Sequence, residues 1–290
     1  MRIFVAIPTI GRPETVRRAV DHLASQTRSP DGIVVVSVRH EDVADLAQSP
    51  MQPEILFTDK GLCLQRNHAL RHIADRADVV LFIDDDFLAA DDYLAELERL
   101  FVSQADVVGA TGRVIADGIH HAGYSFTDAL ELLRKDSPPS ERREYPERAL
   151  YGCNMAIRLS ALGDLRFDEA LPLYGWLEDI DVTFQLGRHG RLVRSNKLSG
   201  VHMGAKGGRT SGVRLGYSQI ANPIYLLRKR SAPPLLAYEM MLRNVVANLL
   251  RSMSPEAHVD RRGRLRGNFL AMAHLATARL DPRYILRIKS

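Results

Sequence analysis

Short, fully apolar runs alternate along the first half of this chain with stretches whose apolar residues recur every three or four positions. Residues 2–7, 33–38 and 79–83 are runs of branched and aromatic side chains. They read as strands buried on both faces, with 55–57 as a shorter one. Val16, Ala19, Val20 and Leu23 mark a first helix, residues 64–77 a second, and Leu94, Leu97, Leu100 and Phe101 a third. Residues 106–110 open a fifth strand. This alternation predicts an α/β fold with a mostly parallel central sheet, right-handed crossovers and flanking helices.

The rhythm breaks between Arg113 and Leu150, where Ser137-Pro138-Pro139-Ser140 and the charged run from Glu141 to Glu144 read as loop. A strand resumes over 151–158, and a helix over 177–189 ends at Gly190. Residues 204–212 hold four glycines with Lys206 and Arg209, a composition suited to a flexible loop. From Gly212 the pattern is helical to the end, interrupted at Pro233-Pro234 and around Pro255. The expected domains are 1–230 and a helical C-terminal extension, 231–290.

Composition narrows the class. Of 290 residues 46% are hydrophobic and 26% charged, as in an ordinary globular protein. The two cysteines, Cys63 and Cys153, form no metal-type pair and no disulfide framework, which fits a reducing, cytoplasmic setting. The apolar N-terminal run is too short for a signal peptide, and no uncharged run is long enough to cross a membrane. The net charge of +4 is split: residues from Arg228 onward carry +9 and the rest −5. The basic tail has amphipathic helical stretches. These can rest on an anionic membrane at its inner face, pack on the body, or pair two subunits as a homodimer. No nucleic-acid-binding pattern is present.

The strand at 79–83 ends in Asp84-Asp85-Asp86. Three adjacent carboxylates repel one another unless they share a cation, and open α/β sheets bind ligands at that edge. Small clusters of hard oxygen ligands suit Mg²⁺ or Mn²⁺ carried with phosphates. An acidic turn capping the next helix is the plainer reading, but three aspartates exceed what capping needs.

Six motifs occur in order: Ile7-Pro8-Thr9 with Arg12-Pro13; Gln26-Thr27; Gly61 followed by Arg66-Asn67; Asp84-Asp85-Asp86; Gly152-Cys153-Asn154; and Trp176-Leu177-Glu178-Asp179-Ile180-Asp181. Together, across roughly residues 1 to 230, the chain resembles family 2 glycosyltransferases of the GT-A, Rossmann-like fold. The resemblance implies a metal-dependent, inverting enzyme of hexosyltransferase type. It would move a sugar from a UDP-, GDP- or dTDP-sugar to a glycan or lipid-linked acceptor, in cell-surface polysaccharide or glycolipid biosynthesis.

The roles it implies are these. Asp86 ligates the metal, with His202 a ligand or a structural residue. Asp84 faces the donor ribose, and Asp85 assists either neighbour. Pro8, Thr9, Arg12, Arg66 and Asn67 line the donor pocket. Asp179 is the base, paired with Glu178 at a helix start, and Trp176 is a platform for the acceptor sugar. The 204–212 loop, through Lys206 and Arg209, resembles a lid. His120 and His121 line an acceptor pocket or simply the surface.

The chain also departs from the pattern. Ser37 stands where the family usually has Asp at the second strand's end, so Glu41, Asp42 or Asp59 would substitute. Gly11 stands where Asn is common. The lack of a Gln-x-x-Arg-Trp signature favours addition of single sugars. A sugar-phosphate nucleotidyltransferase would carry a Gly-x-Gly-Thr-Arg loop, which Pro8-Thr9-Ile10-Gly11-Arg12 does not match. A non-catalytic sugar-nucleotide-binding protein would not need the intact acidic residues.

Overall fold

In the computed structural model, residues 1–290 are described except 121, 138, 206–210, 255–258, 290 and the side chain of His120. Lys206 and Arg209 of the expected lid, His121 and the His120 side chain therefore lie outside the described residues. The chain divides into two compact units, one of residues 1–60, 64–166 and 186–208, the other of 61–63, 167–185 and 209–290.

The first unit holds the sheet. Its strands are β1 (Ile3–Pro8), β2 (Gly32–Ser37), β3 (Glu54–Phe57), β4 (Val79–Ile83), β5 (Phe87–Ala89), β6 (Val107–Asp117), β7 (Glu144–Pro146), β8 (Asn154–Arg158) and β9 (Arg191–His202). They lie in the order β3-β2-β1-β4-β8-β6-β9-β5, with β7 on the far end of β9. β3, β2, β1 and β4 pair in parallel, as the apolar runs predict. Beyond β4 the sheet is mixed: β8 is antiparallel to β4 and β6, β9 is parallel to β6, and β5 and β7 are antiparallel to β9. The core runs through Ile3, Val5, Ile7, Val35, Leu81 and Ile83, all essentially without solvent contact.

Helices α1 (Pro13–His22), α2 (Leu62–Ile73) and α3 (Tyr93–Ser103) follow the expected pattern. α1 opens on Pro13, whose fixed φ and missing N–H suit a first turn. Between 113 and 150, where the apolar rhythm breaks, the chain completes β6 and forms α4 (Phe126–Lys135) ahead of the segment read as loop. α4 starts at a capping box: Ser125 accepts from the Asp128 N–H, while Asp128 accepts from the Ser125 N–H. Its apolar face covers Leu88, Val201 and Met203. α5 (Leu159–Leu162) is a single turn.

β9 is the strand hydropathy concealed. Ser195, Asn196 and Ser199 are buried along it, so its burial does not show as an apolar run. The Asn196 amide donates to the Glu141 carbonyl and its Oδ1 accepts from the Arg143 N–H.

The second unit contains α6 (Glu178–Leu186) as far as residue 185, followed by α7 (Gly212–Lys229), α8 (Pro234–Arg251) and α9 (Arg261–Ala276). α7 packs with α8 and α9 around Tyr217, Ile220, Ala221 and Ala271. No helix among the described residues is long and apolar enough to cross a membrane.

Candidate active site

Strand pairing assembles a cluster that lies scattered in the sequence. β4 delivers Asp84, Asp85 and Asp86 at its carboxyl end. β5 starts at once, and its Phe87 pairs with His202 of β9. On the other side of β9, His202 is in register with Asp117 of β6. Glycine permits the close fit: a Cβ on Gly200 would lie 2.2 Å from the Phe87 ring and 2.7 Å from the Leu88 carbonyl oxygen. Past His202, Gly204 takes φ +69°, and a Cβ there would meet the Gly118 carbonyl carbon at 2.2 Å.

Ligand atoms of Asp84, Asp86 and His202 all lie within 4.8 Å of one another. His202 Nε2 is 3.3 Å from Asp86 Oδ1 and 3.9 Å from Asp84 Oδ2. Its Nδ1 is 3.0 Å from Asp117 Oδ1, and the Tyr151 hydroxyl donates to Asp117 Oδ2 at 2.9 Å. The other oxygen of Asp86 accepts from the Ala205 N–H at 2.6 Å and faces Arg12 at 3.2 Å. Two carboxylates and an imidazole, with one Asp86 oxygen turned toward the His, form a donor set that fits Mn²⁺ or Mg²⁺.

The acids differ in charge preference. Burial pushes Asp85 up to about 7, despite Arg12 beside it. Asp84 is raised, again chiefly by burial. Burial acts upward on Asp86 too, but His202, Arg12 and the Ala205 N–H outweigh it and hold that carboxyl below its ordinary range. Burial alone would lower His202; the neighbouring carboxylates of Asp117, Asp86 and Asp84 override it and raise the imidazole to about 10. A ligating imidazole must shed the proton at the nitrogen it offers, so an ion held here would displace a proton.

Of the expected donor residues, Thr9, Arg12 and Arg66 meet the same strand end. Pro8 closes β1, and the Thr9 hydroxyl donates to Asp85 Oδ2 at 2.7 Å. The Arg12 guanidinium lies 2.9 Å from Asp85 Oδ1. Arg12 and Thr9 thus brace Asp85, which is 3% exposed. Gly11 adopts φ +68°, a left-handed turn that glycine and asparagine both accept, so its presence in place of Asn preserves the backbone. Arg66, 1% exposed, donates to the Gly152 carbonyl at 2.9 Å and lies 3.4 Å from Asp84 Oδ1. Asn67 is buried beside it in sequence. Ser37 is buried and its hydroxyl donates to the Arg39 carbonyl. Asp42 is buried, while Glu41 and Asp59 are exposed.

In the second unit, Glu178 and Asp179 open α6 as expected. Glu178 is buried and Asp179 half-buried, with Asp179 Oδ1 accepting from the Ile180 N–H. The Trp176 indole is half-buried, and its carbonyl accepts from the Asn222 amide at 2.7 Å. Asp181 is a buried structural acid: Lys229 bridges it and Asp168 at 2.8 and 2.7 Å.

Asp117 and Tyr151 are the site residues that the sequence did not announce. Only the parallel register of β6 and β9 brings Asp117 to His202, and no local motif carries that information.

Several solved structures share the fold. One is a mannosyltransferase from Pyrobaculum calidifontis in complex with GDP-Man and Mn²⁺, 15% identical, with TM-score 0.58 over 98% of this chain and 85% of the other. A second is S. aureus TarS 1-349, 14% identical, with TM-score 0.56 over 99% and 87%. A third is GalNAc-T7 with UDP, GalNAc and Mn²⁺, 14% identical, with TM-score 0.52 over 99% of this chain and 56% of the other. No curated protein sequence matches. The model of glycosyl transferase family 2 matches residues 4–166, more than half of the chain and the span that contains the acidic strand end. The chain is a glycosyltransferase of that family, with the GT-A fold.

Proposed function

We propose that this glycosyltransferase is a metal-dependent, inverting enzyme that takes a sugar from a nucleoside diphosphate donor to an acceptor hydroxyl. The observation that carries this reading is the convergence of Asp84, Asp86 and His202 within 4.8 Å at the carboxyl end of β4. The similar structures held with GDP-Man or with UDP beside Mn²⁺ support the same donor chemistry. A divalent ion held there by Asp86, His202 and Asp84 would offset the charge that gathers on the leaving diphosphate.

The chain's own residues supply the rest. Arg12 and Thr9 hold Asp85, fixing the acidic turn from behind. Arg66 ties that turn to the Gly152 carbonyl, and with Asn67 and Pro8 it shapes the donor pocket. Asp179 is assigned as the base, with Glu178 beside it and Trp176 as the platform for the acceptor sugar. In a single displacement the acceptor oxygen bonds to the anomeric carbon as that carbon's bond to the diphosphate oxygen breaks. The hydroxyl proton passes to the Asp179 carboxylate and the electron pair leaves with the diphosphate. The acceptor class is a glycan or a lipid-linked saccharide.

A panel of UDP-, GDP- and dTDP-sugars, scored for Mn²⁺-dependent thermal stabilisation, identifies the donor, because a ligand that binds only the folded state raises its stability with concentration. Asp179→Asn should abolish transfer and leave donor-dependent stabilisation intact; unchanged turnover removes Asp179 as the base. Pyrophosphate release from a nucleoside triphosphate and a sugar phosphate would overturn the assignment in favour of nucleotidyl transfer.

A further inference from the structure

The helices after residue 209 bury a network of amides beside their apolar core and leave further large apolar side chains exposed. Asn248 of α8 is fully buried and donates to Gln219 Oε1 of α7 at 2.7 Å and to Asn268 Oδ1 of α9 at 2.9 Å. Asn268 donates in turn to the Gly216 carbonyl at 2.7 Å. Where α7 and α9 cross, a Cβ on Gly216 would lie 2.0 Å from the Arg264 carbonyl oxygen, and one on Gly267 2.1 Å from that of Val213.

The outward side of α8 carries large apolar side chains of its own. Leu235, Tyr238, Leu242 and Leu249, with Met253 just past the helix end, are 53% to 79% exposed. Steps of three, four and seven residues set them on one stripe along the helix. Phe269 of α9 is also more than half exposed, and Arg262 and Arg266 share its face of that helix and are exposed.

Charge selects the occupant. Residues from Arg228 onward carry a net +9. In a two-fold dimer this surface would meet a copy of itself, with like charges brought together. A surface of anionic headgroups neutralises the arginines and accepts the apolar stripe. With no described helix long and apolar enough to span, α8 would lie along the interface, as amphipathic helices do. We propose that the exposed stripe of α8, aided by the basic residues of the same unit, docks this glycosyltransferase on an anionic lipid surface.

Flotation of the full chain tests this, with vesicles of phosphatidylcholine alone and vesicles containing about one-third phosphatidylglycerol. The protein should float with the anionic vesicles only, and less so at about 0.5 M salt, where the attraction is screened. Leu242→Glu combined with Leu249→Glu should cut the bound fraction about tenfold or more, with circular dichroism unchanged. Arg262→Glu with Arg266→Glu should weaken it as well. Should the first pair lose structure, Tyr238→Trp gives an independent reading: its added emission should shift to the blue on anionic vesicles. Failure of the unaltered protein to float, or flotation undiminished in the Leu242/Leu249 variant, overturns the proposal. So does a solution dimer that this same variant dissociates, because a second copy would then cover the stripe.

Discussion

His202 Nδ1 lies 3.0 Å from Asp117 Oδ1, so the imidazole is oriented from behind by a carboxylate on the neighbouring strand. That hydrogen bond fixes which ring nitrogen faces Asp84 and Asp86, and Tyr151 fixes Asp117 in turn. A carboxylate behind a ligating histidine raises its basicity and holds its tautomer; loss of such a partner commonly weakens a metal site about 10- to 100-fold. Asp117→Asn should lower Mn²⁺ affinity within that range by calorimetric titration, while Asp86→Asn should remove measurable binding. Equal affinity for Asp117→Asn and the unaltered protein would make the contact purely structural.

Arg66 is a nearly inaccessible guanidinium and must keep its partners. It holds the Gly152 carbonyl, faces Asp84 and lies with its central carbon 5.6 Å from the Phe82 ring centroid. Arg66→Met removes the buried charge but also leaves that carbonyl and Asp84 without it. The unfolding free energy should fall by about 3 kcal/mol, read from denaturant titration. Arg66→Lys should recover only part, since an ammonium lacks the planar fork that both bonds and stacks.

Gly200 tests whether the pairing of β5 with β9 builds the cluster. The methyl of Gly200→Ala would press into the Phe87 ring and the Leu88 carbonyl. Stability should fall by about 1–3 kcal/mol, the usual cost of overpacking. Mn²⁺ affinity should fall with it, because Phe87 and His202 are paired across that ladder. Lost stability with intact affinity would separate the pairing from the site.

The parallel half of the sheet and the acids at its edge were legible because β1, β2 and β4 are buried on both faces and so carry unbroken apolar runs. Asp84–Asp86 then mark the exit of β4 without ambiguity. The same rule fails for β9, where Ser195, Asn196 and Ser199 are buried and Asn196 is satisfied by hydrogen bonds that hydropathy cannot register. It fails for β6 beyond Gly112 because irregular pairing with β9 disrupts the alternation. α4 had a readable start in Ser125 and Asp128, overshadowed by the prolines and charges that follow. His202 was visible as a candidate, but Asp117 depends on strand register, which no single stretch encodes. Arg12 and Thr9 illustrate a different limit: their type suits phosphate binding, and only the fold shows them against Asp85.

Glu54 at the start of β3 accepts from Arg76 at 2.8 Å and lies 2.6 Å from His72 Nε2, tying the strand to the region of α2. The Arg76 hydrogen bond, joined by that of His72, outweighs the upward push of burial and lowers the Glu54 carboxyl to about 2. In the unfolded chain a glutamate titrates near about 4.3. The folded value is the lower one, so the stabilisation is fully present above the unfolded value and is lost as pH falls through the folded one. Glu54→Gln should therefore melt below the unaltered protein at pH 7, by a small margin because these partners reach solvent and salt screens them. The gap should narrow from about pH 4.3 downward and close near pH 2. A gap that stays constant across that window would assign the effect to packing instead of charge.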